Sequence, residues 1–274
     1  MKPKQVQLTS SPRQTPIINP WVVALTVTIA TFMELLDTSI ANVSLPYIAG
    51  GLGRSYDEVT WILTTYLVAN AVILPMSAWL SRVFGRKNYY MACVALFTIT
   101  SFLCGIAPSL PVMLLARILQ GVGGGGLAPV EQAILVDTFP PAKRASAFAL
   151  YTVAIVTAPA IGPVLGGWIT DNYNWRWVFL INIPIGIFSL ILTSRFVNDP
   201  PSFEQERSSV RSNGRLRVDG VGIALIAVGS AALELLLDRG QIDDWFGSRL
   251  IVWMFVVAVC CLSGAVFWEL RPGY

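Results

Sequence analysis

The chain has 274 residues, 54% hydrophobic and only 13% charged, with a mean hydropathy of +0.63; soluble domains carry about 25% charged residues, so too few are present to cover a water-facing surface. A net charge of +3, with no dense basic block, gives no basis for nucleic-acid binding. Histidine is absent, and Cys93, Cys104, Cys260 and Cys261 sit in apolar runs without C-x-x-C spacing, which argues against zinc sites and against Ser/His or Cys/His nucleophile pairs.

A bilayer core takes roughly 20 apolar residues per helix. In chain order, eight runs approach or reach that length: 21–43, 59–80, 89–106, 111–136, 145–169, 177–194, 220–237 and 250–270. A polar tail, 1–20, precedes the first run, which is too long for a signal peptide and has no small-x-small cleavage site after it. The longest polar stretch, rich in Ser, Arg and Glu, predicts a flexible cytoplasmic linker over 196–219. The expected division is therefore a tail at 1–20, a six-helix bundle at 21–195, the linker, and two further membrane helices at 220–271. Lys and Arg set the orientation. With the N-terminus inside, 14 of the 19 fall in inner loops and four in outer loops, while Arg117 lies within a helix.

The first predicted helix carries Glu34 and Asp37 inside an apolar run, three residues apart and so on one helical face. A central acidic residue costs about 2.5–3.5 kcal/mol on insertion scales and calls for a reason. Helix 4 carries Arg117. Asp37 lies six residues from position 43 and Arg117 six from position 111. At 1.5 Å per residue both are roughly 9 Å from the outer ends of their helices. A cross-helix pair is geometrically possible, with Glu34 about one turn deeper. One reading is a static salt bridge that orients the two helices. The other is that Asp37 or Glu34 exchanges a proton under the influence of Arg117. Glu131 and Asp238 read as interfacial residues.

Helix 4 also contains Gly121-Val122-Gly123-Gly124-Gly125-Gly126, a formal G-x-G-x-x-G. The dinucleotide fingerprint needs a preceding strand, whereas these glycines follow a membrane helix and read as a close-packing surface. Helix 5 holds Pro159 and Pro163, which kink it, and Gly162, Gly166 and Gly167, which smooth one face. No phosphate-binding G-x-x-x-x-G-K-[ST] occurs to support an ATP-driven pump.

These stretches resemble the major facilitator superfamily, in particular its 14-spanner drug:proton antiporters, the EmrB/QacA-like group, over nearly the whole chain. Leu36-Asp37-Thr38-Ser39-Ile40-Ala41-Asn42-Val43 is similar to that group's first-helix signature. Gly85, Arg86 and Lys87 close a stretch resembling the superfamily's loop between helices 2 and 3, although Ala78 and Arg82 replace its leading glycine and its acidic residue. Arg117, Gln120, Gly121 and Gly123 match the helix 4 motif, and Gly162-Pro163-x-x-Gly166-Gly167 matches the antiporter motif of helix 5. The run from Trp175 to Gly186 looks like the start of helix 6 in the same group.

The resemblance implies an all-α integral membrane protein with a major-facilitator N-terminal six-helix bundle and two linking transmembrane helices. It implies multi-pass insertion in the cytoplasmic membrane and export of small organic molecules in exchange for protons, without enzymatic activity, cofactor or metal. Asp37, Glu34 and Arg117 would serve proton coupling, and Gly162, Pro163, Gly166 and Gly167 a bendable interface. The family has 14 helices, so six more belong to a longer protein or a separate polypeptide, or were lost from a remnant. The implied partners are the exported molecule, protons and the lipid bilayer, with a periplasmic adaptor or a C-terminal half as further ones. A non-transporting scaffold or sensor built from half a transporter is the alternative.

Overall fold

The computed structural model describes residues 19–199 and 219–271. The expected tail and linker therefore fall largely outside the described residues. Ten α-helices make up the described chain: α1 (Pro20–Leu52), α2 (Tyr56–Phe84), α3 (Arg86–Ile106), α4 (Leu110–Gly124), α5 (Leu127–Thr138), α6 (Pro141–Asn172), α7 (Trp177–Leu180), α8 (Asn182–Phe196), α9 (Gly220–Arg239) and α10 (Arg249–Glu269). Taken with α4–α5 and α7–α8 as single crossings, they give eight spans long and apolar enough to cross a membrane.

Local chemistry sets the ends. Pro20 opens α1 where its missing N–H costs nothing, and the Asn19 side chain accepts from Trp21 N at 3.0 Å. The helix closes at Gly53, whose φ of 62° is the left-handed conformation glycine tolerates. Ser55 and Glu58 form a reciprocal capping box at the start of α2. Asp219 caps α9 through Gly222 N at 2.8 Å and also accepts from Trp268 Nε1 of α10 at 2.8 Å, joining the last two spans at one end.

Several helices outrun their apolar stretches. The sequence places the first span at 21–43, but α1 continues to Leu52, through Pro46. A single proline removes one backbone bond, and the helix continues beyond it. Tyr47 of this extension donates its hydroxyl to Asp171 Oδ1 at 2.5 Å, tying it to the equally extended end of α6. Hydropathy reports the lipid-facing length, not the hydrogen-bonded length.

The outer surface is apolar, unlike that of a water-soluble bundle, and a few charged and polar groups lie inside an otherwise apolar core. Large apolar side chains such as Leu115, Val156, Val164 and Phe267 point outward, while Asp37, Arg117, Gln120 and Glu131 are completely buried. α1 runs through the centre, packed against α2, α5, α6 and α8. Glycines allow the closest approaches. A Cβ on Gly121 would lie 2.4 Å from the Tyr66 carbonyl oxygen of α2, and one on Gly123 would lie 2.8 Å from the Phe97 backbone nitrogen of α3. The glycine run of helix 4 is thus a packing surface. Its four consecutive glycines, each about 1 kcal/mol poorer than alanine in a helix, also mark where the span breaks between α4 and α5.

Candidate functional site

The matching depths of Asp37 and Arg117 become a direct contact: Arg117 Nη1 lies 2.7 Å from Asp37 Oδ2, with both side chains fully buried. An isolated charge in such a place is expensive, and this one is surrounded accordingly. Arg117 donates from Nε to the Ile62 carbonyl at 3.1 Å and from Nη1 to Gln120 Oε1 at 2.8 Å. Asn182 Nδ2 donates to Asp37 Oδ1 at 2.6 Å and also reaches Ser101 Oγ at 3.0 Å. The guanidinium carbon sits 4.3 Å from the centroid of the Tyr66 ring, a cation–π contact. Helices α1, α2, α3, α4 and α8 all contribute to this cluster.

Tyr66 faces two ways. Its ring covers Arg117, and its hydroxyl donates to Glu34 Oε1 at 2.9 Å, where Asn70 Nδ2 also donates at 3.0 Å. Glu34 and Asp37 share a helical face but not an environment. Asp37 is closed in with its cation, whereas Glu34 lines a cavity of ≈ 640 Å³ together with Asn42, Asn70, Pro159 and several leucines. Glu234 and Asp238 of α9 complete the lining. Asp238 accepts a hydrogen bond from Thr64, and next to it Arg239 is buried, donating to Thr60 Oγ1 at 2.8 Å, with its guanidinium 4.6 Å from the Trp61 ring. Asp238 is thus held against α2.

The helix 5 motif lies in α6 against α1. Pro163 has no N–H for the Pro159 carbonyl one turn back, and Ser39 Oγ of α1 donates to that carbonyl at 3.1 Å. A Cβ on Gly162 would fall 2.2 Å from Ser39 Oγ, and one on Gly166 3.1 Å from Ile40 Cγ2, whereas one on Gly167 would meet nothing within 4 Å. Gly162 and Gly166 therefore make the α1 contact, and Gly167 does not share it. The loop motif lies elsewhere. Gly85 takes a φ of 91° at the α2–α3 corner, Arg86 pairs with Asp137 and donates to the Ala133 carbonyl at 3.1 Å, and Lys87 Nζ reaches the Ser194 carbonyl at 2.8 Å.

Glu131 is a correction. Instead of reaching an interface it is fully buried between α1 and α5, accepting from Thr28 Oγ1 at 2.6 Å and from Thr31. Tyr66, Asn70 and Asn182 were not singled out as site residues in the sequence, although each is a polar group in an apolar run. The pairing of Tyr66 with Asn70, one turn apart on α2, was the available signal.

A bundle of eight apolar spans, enclosing an ion pair beside a cavity lined by carboxyls and leucines, defines a multi-pass membrane protein with a transporter architecture. Residues 27–269 match the profile of the Major Facilitator Superfamily, and the chain belongs to that family, one of transporters and not of enzymes. It is 41% identical over 91% of its length to the "Multidrug export protein EmrB" of Haemophilus influenzae, covering 47% of that protein. It is 44% identical over 93% of its length to the "Fatty acid resistance protein FarB" of Neisseria gonorrhoeae, covering 48% of it. The chain thus spans about half the length of the curated relatives it matches. In fold it is similar to the POT family transporter PepTSo, with a TM-score of 0.61 at 14% identity, covering 93% of this chain and 55% of that one.

Proposed function

We propose that the chain forms the N-terminal half of a proton-coupled exporter of amphipathic small organic molecules. In this reading 21–195 is the six-span half, 220–271 is the linking pair, and the N-terminus lies on the cytoplasmic side of the cytoplasmic membrane. The observation that carries the proposal is the position of Glu34, a carboxyl at a cavity wall, coupled through Tyr66 to a buried ion pair. A proton arriving at Glu34 removes a negative charge from the wall and changes what Tyr66 and Asn70 donate to. Cargo seated in the cavity then competes with that proton through the same groups. Asp37, already paired, holds Arg117 in place behind Tyr66. The close faces of Gly162 and Gly166 allow α6 to rock on α1, with Pro163 as the weak point in its backbone.

The excess of Lys and Arg in the even-numbered loops supports the orientation. The relatives' names, multidrug export and fatty acid resistance, support an amphipathic cargo. Transporter sites of this architecture lie between two halves, so a C-terminal half supplies the opposite wall, and a periplasmic adaptor would extend the path outward. The test is antiport in proteoliposomes containing the chain together with its C-terminal half. An imposed proton gradient drives dye movement in the wild type, and Glu34→Gln uncouples the two. Gradient-driven transport that survives Glu34→Gln combined with Asp37→Asn overturns the assignment.

A further inference from the structure

We propose that Glu131 is a second proton-binding carboxyl, set on the Pro20 side of Glu34 along one polar stripe of α1. Thr28, Thr31, Glu34 and Asp37 recur every three residues on that helix, and between them they meet partners on three other helices. Asp37 meets Arg117 of α4, Glu34 meets Tyr66 and Asn70 of α2, and both threonines meet Glu131 of α5. The stripe therefore touches both halves of the broken fourth span, on either side of Gly125 and Gly126.

Glu131 differs from Asp37 in the one respect that matters for proton exchange. No ion pair among the described residues includes it. The ionisable groups within electrostatic reach of it are Glu34 on α1, Tyr90 on α3 and Tyr151 on α6, while Tyr89 and Cys93 of α3 belong to the apolar cluster that holds its α5 neighbours Leu127 and Val130. From α2, Ser77 donates to the Gly125 carbonyl at 3.2 Å. Arg86 of α3, the cation that meets α5 further along, is held at Asp137 and the Ala133 carbonyl. A buried carboxylate without a cation is costly, whereas the neutral acid is tolerated.

The threonine pair suits both forms. Each hydroxyl donates to the ionised carboxylate. When the acid is protonated, one of them can turn its own O–H toward the carbonyl four residues back and accept from the acid's O–H instead. The chemistry is proton binding and release alone: the O–H bond of the acid breaks, the proton passes to a water molecule, and the carboxylate takes up both hydroxyl donors. Thr28 lies six residues from Glu34, roughly 9 Å along the helix axis.

The purpose of this site rests on the proton-coupled reading, but its existence does not. Infrared spectroscopy of the purified chain, titrated with acid in detergent, reads protonated carboxyl groups directly by their C=O stretch. Glu131→Gln removes one titrating band, and Glu34→Gln removes another. Thr28→Val with Thr31→Val keeps the Glu131 band but shifts its frequency, a control that a folding defect would not imitate. If Glu131→Gln removes no titrating band, the inference falls, whatever Glu34→Gln does. If Glu131→Gln removes one and Glu34→Gln does not, the second site stands and the role assigned to Glu34 fails.

Discussion

Arg117 is fully buried, and its stability depends on the few groups that take the place of water. Removing it leaves Asp37 buried with Asn182 as its remaining named donor. Breaking a buried pair from one side costs about 3–5 kcal/mol, because the surviving charge is uncompensated. Arg117→Gln should therefore lower the thermal midpoint of the purified chain far more than Arg117→Gln combined with Asp37→Asn, which leaves no charge behind. Equal losses in a melting experiment would show that the pair contributes little beyond its packing. Tyr66 can be dissected the same way. Tyr66→Phe deletes one hydrogen bond to Glu34 and keeps the ring over Arg117, for a loss of about 1 kcal/mol, while Tyr66→Ala uncovers the guanidinium and costs several times more. The acids themselves were visible in the sequence because charge inside an apolar run stands out. Tyr66 and Asn182 are individually ordinary, and only their neighbours give them a role.

Helix-to-helix contacts depend on which glycine faces what, and their spacing does not reveal that. Gly162 and Gly167 belong to one motif, yet a side chain on the first meets Ser39 and on the second meets nothing. Gly167→Ala should be neutral or stabilising by up to about 1 kcal/mol through helix propensity. Gly121→Ala forces a methyl group onto the Tyr66 carbonyl and should destabilise clearly; comparing the two melting curves checks the assignment. Ser39→Ala tests the α1–α6 link separately. It strips the Pro159 carbonyl of its donor in a helix where Pro163 cannot supply one, with an expected loss of about 1–2 kcal/mol. Helix ends were the least legible feature, since caps such as Gly53 and breaks such as Gly125–Gly126 follow backbone chemistry and not hydropathy.

For the molecule as a whole, the seventh span is attached to α2 through Arg239, Asp238, Thr60 and Thr64, and it brings Glu234 and Asp238 to the cavity wall. Arg239→Ala should loosen this attachment, and disulfide trapping between cysteines placed on α2 and α9 would fall relative to the parent. Unchanged trapping would mean that apolar packing alone holds the two together.

The sequence by itself determined that the chain is a set of eight membrane helices. Bilayer thickness demands long apolar runs, and the scarcity of charge made each intramembrane acid and Arg117 conspicuous. Depth counted along two helices was enough to anticipate the Asp37–Arg117 contact, because the helical rise is fixed. Only the tertiary structure decided that Glu34 faces a cavity while Asp37 is closed in, and that Glu131 is buried and not interfacial. Those outcomes depend on which neighbouring helix supplies a cation, a hydroxyl or open space, and that information lies in residues far apart along the chain.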